Sequence, residues 1–275
     1  MLYDDSRNLF YQRMIEKAVR GKTILEIGAG TGFLSIIAAR AGAKHVYACE
    51  GNPLFQNIAE QVIEQSSFGH QITLIPKLST QLQIGKDIPA KVDLIVSEII
   101  STDLFTENIV TYLRDAKRLL KSGGTFLPAT IEVWGCLVEN EAQQRDPDER
   151  TVHTELLEKL VDQVPQMNAA HRGLRLVSKP KRFAVLENGY ELSPSAPWKL
   201  NLKRTATCSQ TSFCLYFRTV DGRNQLTNFV RTDDDPKSML YASSWGQMLY
   251  PLDERDDYTL KIHLIEDRYP VVMTL

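Results

Sequence analysis

No stretch of this 275-residue chain approaches the roughly 18 to 20 consecutive apolar residues that cross a bilayer, so no membrane span is expected. Cysteine is scarce. Cys49, Cys136, Cys208 and Cys214 show none of the paired spacings of a zinc site, and no metal centre is expected. Each sits in an apolar or strand-like stretch, where a small buried hydrophobe is the expected role rather than a catalytic thiol. An excess of charge is lacking too: 32 basic residues face 34 acidic ones with no long run of either sign, which argues against a nucleic-acid arm, an acidic tail or general nucleic-acid affinity. Nothing before Arg7 resembles a secretion signal, and a reduced, cytoplasmic protein is the expectation.

What is present changes period along the chain. From Lys22 to Pro128 short apolar runs alternate with helical patterns, the signature of a parallel sheet covered by crossover helices. Thr23 to Ile27, His45 to Cys49, Ile72 to Ile75 and Val92 to Val96 read as strands. Ile109, Tyr112, Leu113, Ala116, Leu119 and Leu120 recur at helical steps, and Lys121-Ser122-Gly123-Gly124 reads as the end of that helix. After Pro128 the period becomes two: Trp198, Leu200 and Leu202 alternate with polar residues, as do Phe213, Leu215 and Phe217, and Tyr258, Leu260, Ile262 and Leu264. An α/β, Rossmann-like domain at 1–128 is therefore expected to precede an antiparallel β domain at 129–275. A polar, partly helical insertion at about 139–182 carries Leu156, Leu157, Leu160, Val161 and Val164 at helical spacing.

The segment from Leu25 to Ser35 follows a strand and opens a helix, and its glycines let the backbone pass close to a ligand. Its spacing is G-x-G-x-G, whereas a dinucleotide enzyme would be expected to show G-x-G-x-x-G. Glu50 ends the second strand, where a carboxylate can accept from both ribose hydroxyls. Glu26, Gly28, Gly30, Gly32 and Glu50 are thus candidate cofactor residues, with S-adenosylmethionine (AdoMet) ahead of NAD. A tight strand-to-helix turn with no ligand is the plainer alternative.

Glu98 follows the fourth strand at the same sheet edge, and Glu107 returns nine residues later at the start of the next helix. Two acids turned toward one point repel each other unless a cation sits between them. A guanidinium, planar and permanently charged, suits such a pair. Glu107 alone could equally be an acid interacting with a helix macrodipole.

Together these residues resemble the protein arginine methyltransferases. The segment from Met1 to Tyr11 is similar to the family's stretch whose arginine pairs with the AdoMet carboxylate, a role that falls on Arg7. Glu98 and Glu107 match the family's double-E loop, and Pro128 resembles the proline, usually cis, that joins the Rossmann-like domain to a β-barrel. Lys77-Leu78-Ser79-Thr80 and the 98–107 loop look most like the monomethylating, type III branch, which implies Ser79 or Thr80 near the adenine. The insertion occupies the place of the family's dimerisation arm, implying a homodimer; a local cover for one barrel edge is the alternative.

Three departures stand out. Ser243-Ser244-Trp245 replaces the family's Thr-His-Trp, so the histidine that would pair with Asp4 is missing, while Trp245 remains to wall the substrate pocket. The chain begins at the segment holding Arg7, which implies a looser lid or a misassigned start. Ser101 and Thr106 replace residues more usual in that branch. The resemblance implies catalytic roles for Glu98, Glu107 and Trp245, AdoMet as cofactor, and an arginine-containing protein or peptide as partner. A methyltransferase for another nucleophile and a nucleoside-binding regulatory subunit are the rivals.

Overall fold

Apolar runs rich in β-branched residues pair side by side because each is too hydrophobic to leave either face in water. In the computed structural model, which describes residues 2–140, 166–168, 174–187, 197–208, 210–229, 239–241 and 245–275, four of them and a fifth, more polar edge strand form an all-parallel sheet. The strands are β1 (Thr23–Ile27), β2 (His45–Cys49), β3 (Ile72–Ile75), β4 (Val92–Ser97) and β5 (Leu120–Leu127), in the order β3-β2-β1-β4-β5. Helices α1 (Asp5–Ala18), α2 (Phe33–Arg40), α3 (Pro53–Gln65) and α4 (Ile109–Ala116) flank them. Strand order reverses between β1 and β4, and the carboxyl ends at such a reversal are where open α/β sheets hold ligands.

Local chemistry sets the helix ends. The Asp4 side chain caps α1 by accepting from the Arg7 N–H at 3.0 Å. Asn52 caps α3 ahead of Pro53, whose missing N–H costs nothing at a first helical position.

One expectation is corrected here. Helix α4 stops at Ala116, a 3₁₀ turn covers Lys117–Leu119, and Leu120 opens β5, so Ser122-Gly123-Gly124 lies inside a strand and is not a helix stop. Glycines are tolerated there because β5 is the sheet's edge, and its pairing with β4 is irregular between Val92 and Leu94.

After the cis Leu127–Pro128 bond come β6 (Thr130–Asn140), β7 (Gln166–Asn168), β8 (Leu174–Leu176), β9 (Lys181–Glu187), β10 (Trp198–Lys203), β11 (Thr211–Asp221), β12 (Asn224–Thr227), β13 (Met239–Tyr241), β14 (Gln247–Pro251), β15 (Asp257–Ile265) and β16 (Tyr269–Thr274). β10, β15 and β16 make a three-stranded sheet, and the rest an eight-stranded one. Strands β7 and β8 fall within the span read as an insertion; its Leu156 to Val164 stripe lies outside the described residues.

The two-residue period holds for β10, where Leu200 and Leu202 are buried between exposed neighbours. It fails for β11. Phe213, Leu215 and Phe217 enter the main core, but Cys214 and Tyr216 on the other face are also buried, packed with Cys136, Val138, Phe229 and Leu249.

Side chains among the described residues tie the 98–107 loop to the antiparallel half. The Phe105 ring stacks on Trp198 with centroids 6.2 Å apart. The buried Asn228 donates through Nδ2 to the Thr102 carbonyl at 3.1 Å and to Gly246 at 2.8 Å. Arg268 donates through Nε to the Thr106 carbonyl at 2.7 Å.

Candidate active site

Chain direction reverses sharply between β1 and α2, and Gly28 makes the first bend at φ 72°. A Cβ there would stand 2.7 Å from Ile99 Cγ2, so the turn and the residue after Glu98 are packed as closely as glycine permits. Beside this turn opens a cavity of about 270 Å³, lined by Gly28, Glu50, Ser79, Ile99, Glu107 and Arg268 among others. That volume is near the lower end for small-molecule sites.

Glu50 is buried and holds the glycine turn itself. Its carboxylate accepts from the Gly30 N–H at 2.7 Å and from the Asn52 N–H at 2.7 Å. Gly32, at φ 78°, starts α2 without a side-chain cap. Ser79 is buried with its hydroxyl unpartnered among the described residues. Thr80 is exposed and meets its surroundings through its carbonyl, which accepts from Arg118 at 3.2 Å. Of that pair, Ser79 lines the cavity.

Glu26 does not line the cavity. It is 2 % exposed under the sheet edge, accepts from the Ser35 hydroxyl, and burial pushes its carboxyl up to about 8. Between its ordinary value near 4.5 and about 8, the folded protein holds a proton that the unfolded chain has released, so stability falls as pH rises through that window. Glu26→Gln retains an acceptor for Ser35 and cannot ionise. Its melting temperature is expected to exceed that of the unsubstituted protein at pH 8, by about 2–4 °C per kcal/mol regained, and the two should converge near pH 4. A pH-independent difference would mean that Glu26 does not titrate in this range.

Glu98 follows β4 at the sheet edge and is ion-paired through Oε2 with Arg7 of α1. Both are buried, and among the described residues both have an unpartnered atom, Oε1 of Glu98 and Nε of Arg7. Burial is the largest influence on the Glu98 carboxyl; with the Glu107 charge it outweighs Arg7 and brings it up to about 7. Glu107 stands exposed at the cavity wall, its carboxyl also pushed up by partial burial and by Asp103. The Glu107 charge thus reaches Glu98, though only Glu107 lines the cavity.

The loop joining them is built around Asp103. It accepts from the Ser101 hydroxyl at 2.5 Å, from the Phe105 and Thr106 N–H groups at 3.0 Å each, and from the Thr106 hydroxyl. Ser101 and Thr106, the residues that depart from the expected branch, are therefore the internal ties of this loop. Trp245 is 3 % exposed and packs edge-on against Phe217 with centroids 5.1 Å apart; it does not line the cavity. Ser243 and Ser244 lie outside the described residues.

Cys49 borders the cavity, but burial raises its thiol to about 12, so it is no nucleophile at neutral pH. Sequence reading missed Lys77, Leu78, Asn108, Tyr112 and Arg268 as lining residues. The spacing of Tyr112 points to the core, and Arg268 carries no local signal. Among the described residues, no group of three or more His, Cys, Asp or Glu could hold a metal, and no helix is long and apolar enough to cross a membrane.

A Rossmann-like parallel sheet with its glycine turn, followed by an antiparallel sheet domain, is the fold of the protein arginine methyltransferases. It matches the Trypanosoma brucei PRMT1 enzyme-prozyme heterotetrameric complex with AdoHcy at a TM-score of 0.76 and 19% identity, covering 100% of this chain and 96% of that one. It also matches Arabidopsis thaliana protein arginine methyltransferase 10 at 0.72 and 18% identity, covering 96% and 86%.

Sequence comparison gives the narrower relationship. The family model described as ribosomal protein L11 methyltransferase (PrmA) matches residues 10–133. The chain is 40% identical over 143 residues to an arginine N(omega)-methyltransferase of Streptomyces achromogenes subsp. streptozoticus, covering 51% of this chain and 40% of that one. It is 38% identical over 152 residues to protein arginine N-methyltransferase 9 of Xenopus laevis, covering 50% and 18%. It is 36% identical over 148 residues to protein arginine N-methyltransferase 7 of Drosophila melanogaster, covering 51% and 21%. The chain is thus a relative of the arginine methyltransferases, and it spans less than half the length of these curated relatives.

Proposed function

We propose that this chain is an AdoMet-dependent protein arginine N-methyltransferase in which Glu98 and Glu107 hold the acceptor guanidinium. The carrying observation is Glu98: a buried carboxylate at the sheet's carboxyl edge, already holding one guanidinium through Oε2, with Oε1 unpartnered among the described residues. A second in-plane fork from an arginine substrate would satisfy that oxygen.

The residues at the β1 turn fit the donor. Gly28 leaves room where a Cβ would meet Ile99, Glu50 has acceptor capacity beyond its two backbone N–H bonds, and the Ser79 hydroxyl and Arg7 Nε are buried donors without partners among the described residues. In this reading Glu50 takes the ribose, Ser79 the adenine side and Arg7 the amino-acid carboxylate. When bound, AdoMet supplies an electrophilic methyl on sulfur. The chain's own work is to align the guanidinium with that methyl, a positioning effect worth on the order of 7 to 11 kcal/mol in well-aligned systems. Glu98 and Glu107 stabilise the positive charge kept through transfer. A guanidinium with a pKa above about 12 is not deprotonated beforehand, so the proton leaves with or after the methyl.

The same reading takes the boundary at Pro128, the antiparallel half as a barrel-like substrate domain with Trp245 as a wall of its acceptor pocket, a homodimer, and a cytoplasmic setting. Its test is transfer of labelled methyl from AdoMet to arginine-rich peptides, with lysine-rich peptides alongside. Arginine labelling is the expected result. Labelling of lysine alone would move the chain to another methyltransferase class, and AdoMet binding with no transfer to any acceptor would make it a regulatory subunit.

A further inference from the structure

One residue of the cavity wall comes from far along the chain. Arg268 lies on the turn between β15 and β16, 162 positions after Thr106. That turn is firmly built: Glu266 and Asp267 adopt φ 55° and 56°, and the Arg268 N–H donates to the Ile265 carbonyl at 3.0 Å, the pattern of a tight hairpin turn that follows strand twist. Asp267 accepts an ion pair from Arg114 of α4 at 2.8 Å, which docks the turn on the helix that follows Glu107. The Arg268 guanidinium lies 5.1 Å over the Tyr269 ring and lines the cavity beside Glu107, Asn108 and Tyr112.

The bond from Arg268 Nε to the Thr106 carbonyl matters because of where that carbonyl sits. The Thr106 C=O and the Glu107 N–H belong to one rigid peptide plane, so holding the oxygen fixes the plane from which Glu107 extends. Asp103 and Ser101 hold the other side of Thr106 by accepting from its N–H at 3.0 and 3.1 Å. The carbonyl itself is held from the antiparallel half. We infer that Arg268 is a positioning residue for Glu107, acting through the Thr106 peptide, and through Glu107 for the acceptor guanidinium; this rests on the function proposed above.

The test is the affinity of an arginine-rich peptide, measured by calorimetry in the presence of the methyl-donor product AdoHcy, with kcat and KM determined in parallel. Arg268→Ala is expected to weaken peptide affinity roughly tenfold or more, because small misplacements of an orienting group are costly. Glutamine carries a nitrogen at the same bond position as arginine Nε but no charge, so Arg268→Gln should recover most of the loss. In a Glu107→Gln background, Arg268→Ala should have no further effect. Equal losses in both backgrounds, or an Arg268→Gln protein as weak as Arg268→Ala, would overturn the positioning role. If the unsubstituted protein neither binds the peptide nor labels arginine, the parent reading fails first; binding with independent losses defeats the Arg268 inference alone.

Discussion

Glu98→Gln is expected to lower kcat/KM for arginine methylation by at least about a hundredfold, while AdoMet affinity changes by less than about threefold, under 1 kcal/mol. The reason lies in what the substitution leaves in place. Glutamine preserves the shape and an acceptor oxygen for Arg7, but removes the negative charge that would hold the incoming guanidinium and stabilise it during transfer. Because Arg7 is buried, losing its counter-ion also stresses the fold; stripping one partner from a buried pair costs about 3–5 kcal/mol when nothing replaces it. A thermal melt of the variant therefore accompanies the kinetics, and the prediction concerns turnover by folded protein. Full activity in folded Glu98→Gln protein would remove Glu98 from the mechanism.

Gly28→Val should act on the other substrate. The position has φ 72°, which a β-branched residue resists by at least about 1–2 kcal/mol, and the new Cβ would start 2.7 Å from Ile99 Cγ2. Either the turn moves out of the cavity wall or Ile99 is pushed, and Ile99 adjoins Glu98. The expected result is a loss of AdoMet affinity on the order of a hundredfold, about 3 kcal/mol, in calorimetric titration. Unchanged AdoMet affinity in a folded Gly28→Val protein would mean that the glycine turn is only a connection, the plainer alternative to a ligand site.

How much of this was legible in the residues follows from how local each signal is. The glycine turn, Glu50, Glu98 and Glu107 could be read because strand–turn–helix grammar delivers all of them to one sheet edge, wherever the rest of the chain goes. The β5 strand was hidden: Leu119 and Leu120 continue the spacing of α4, and Ser122-Gly123-Gly124 imitates a helix stop, so only pairing with β4 reveals a strand. Burial of both faces of β11 was only half legible: Cys214 reads as a small buried hydrophobe, but Tyr216 looks like an alternate, wetter position until a second cluster covers it.

Side-chain partnerships were least legible. That Arg7 meets Glu98 depends on α1 folding across the sheet, 91 positions away in sequence. Glu26 carries the same carboxylate as Glu50 and lies one strand over at the same sheet edge, yet it is buried against the Ser35 hydroxyl of α2, a partnership that no local pattern shows. Arg268 had no motif around it; a hairpin turn brings it to the cavity from the far end of the chain.

The most direct measurement is a crystal structure with AdoHcy and an arginine peptide bound. It should have AdoHcy seated over Gly28 with its ribose at Glu50, and the peptide guanidinium held between Glu98 and Glu107 with a nitrogen facing the sulfur. Those two carboxylates turned to solvent, or the peptide arginine bound elsewhere while AdoHcy fills the cavity, would contradict it.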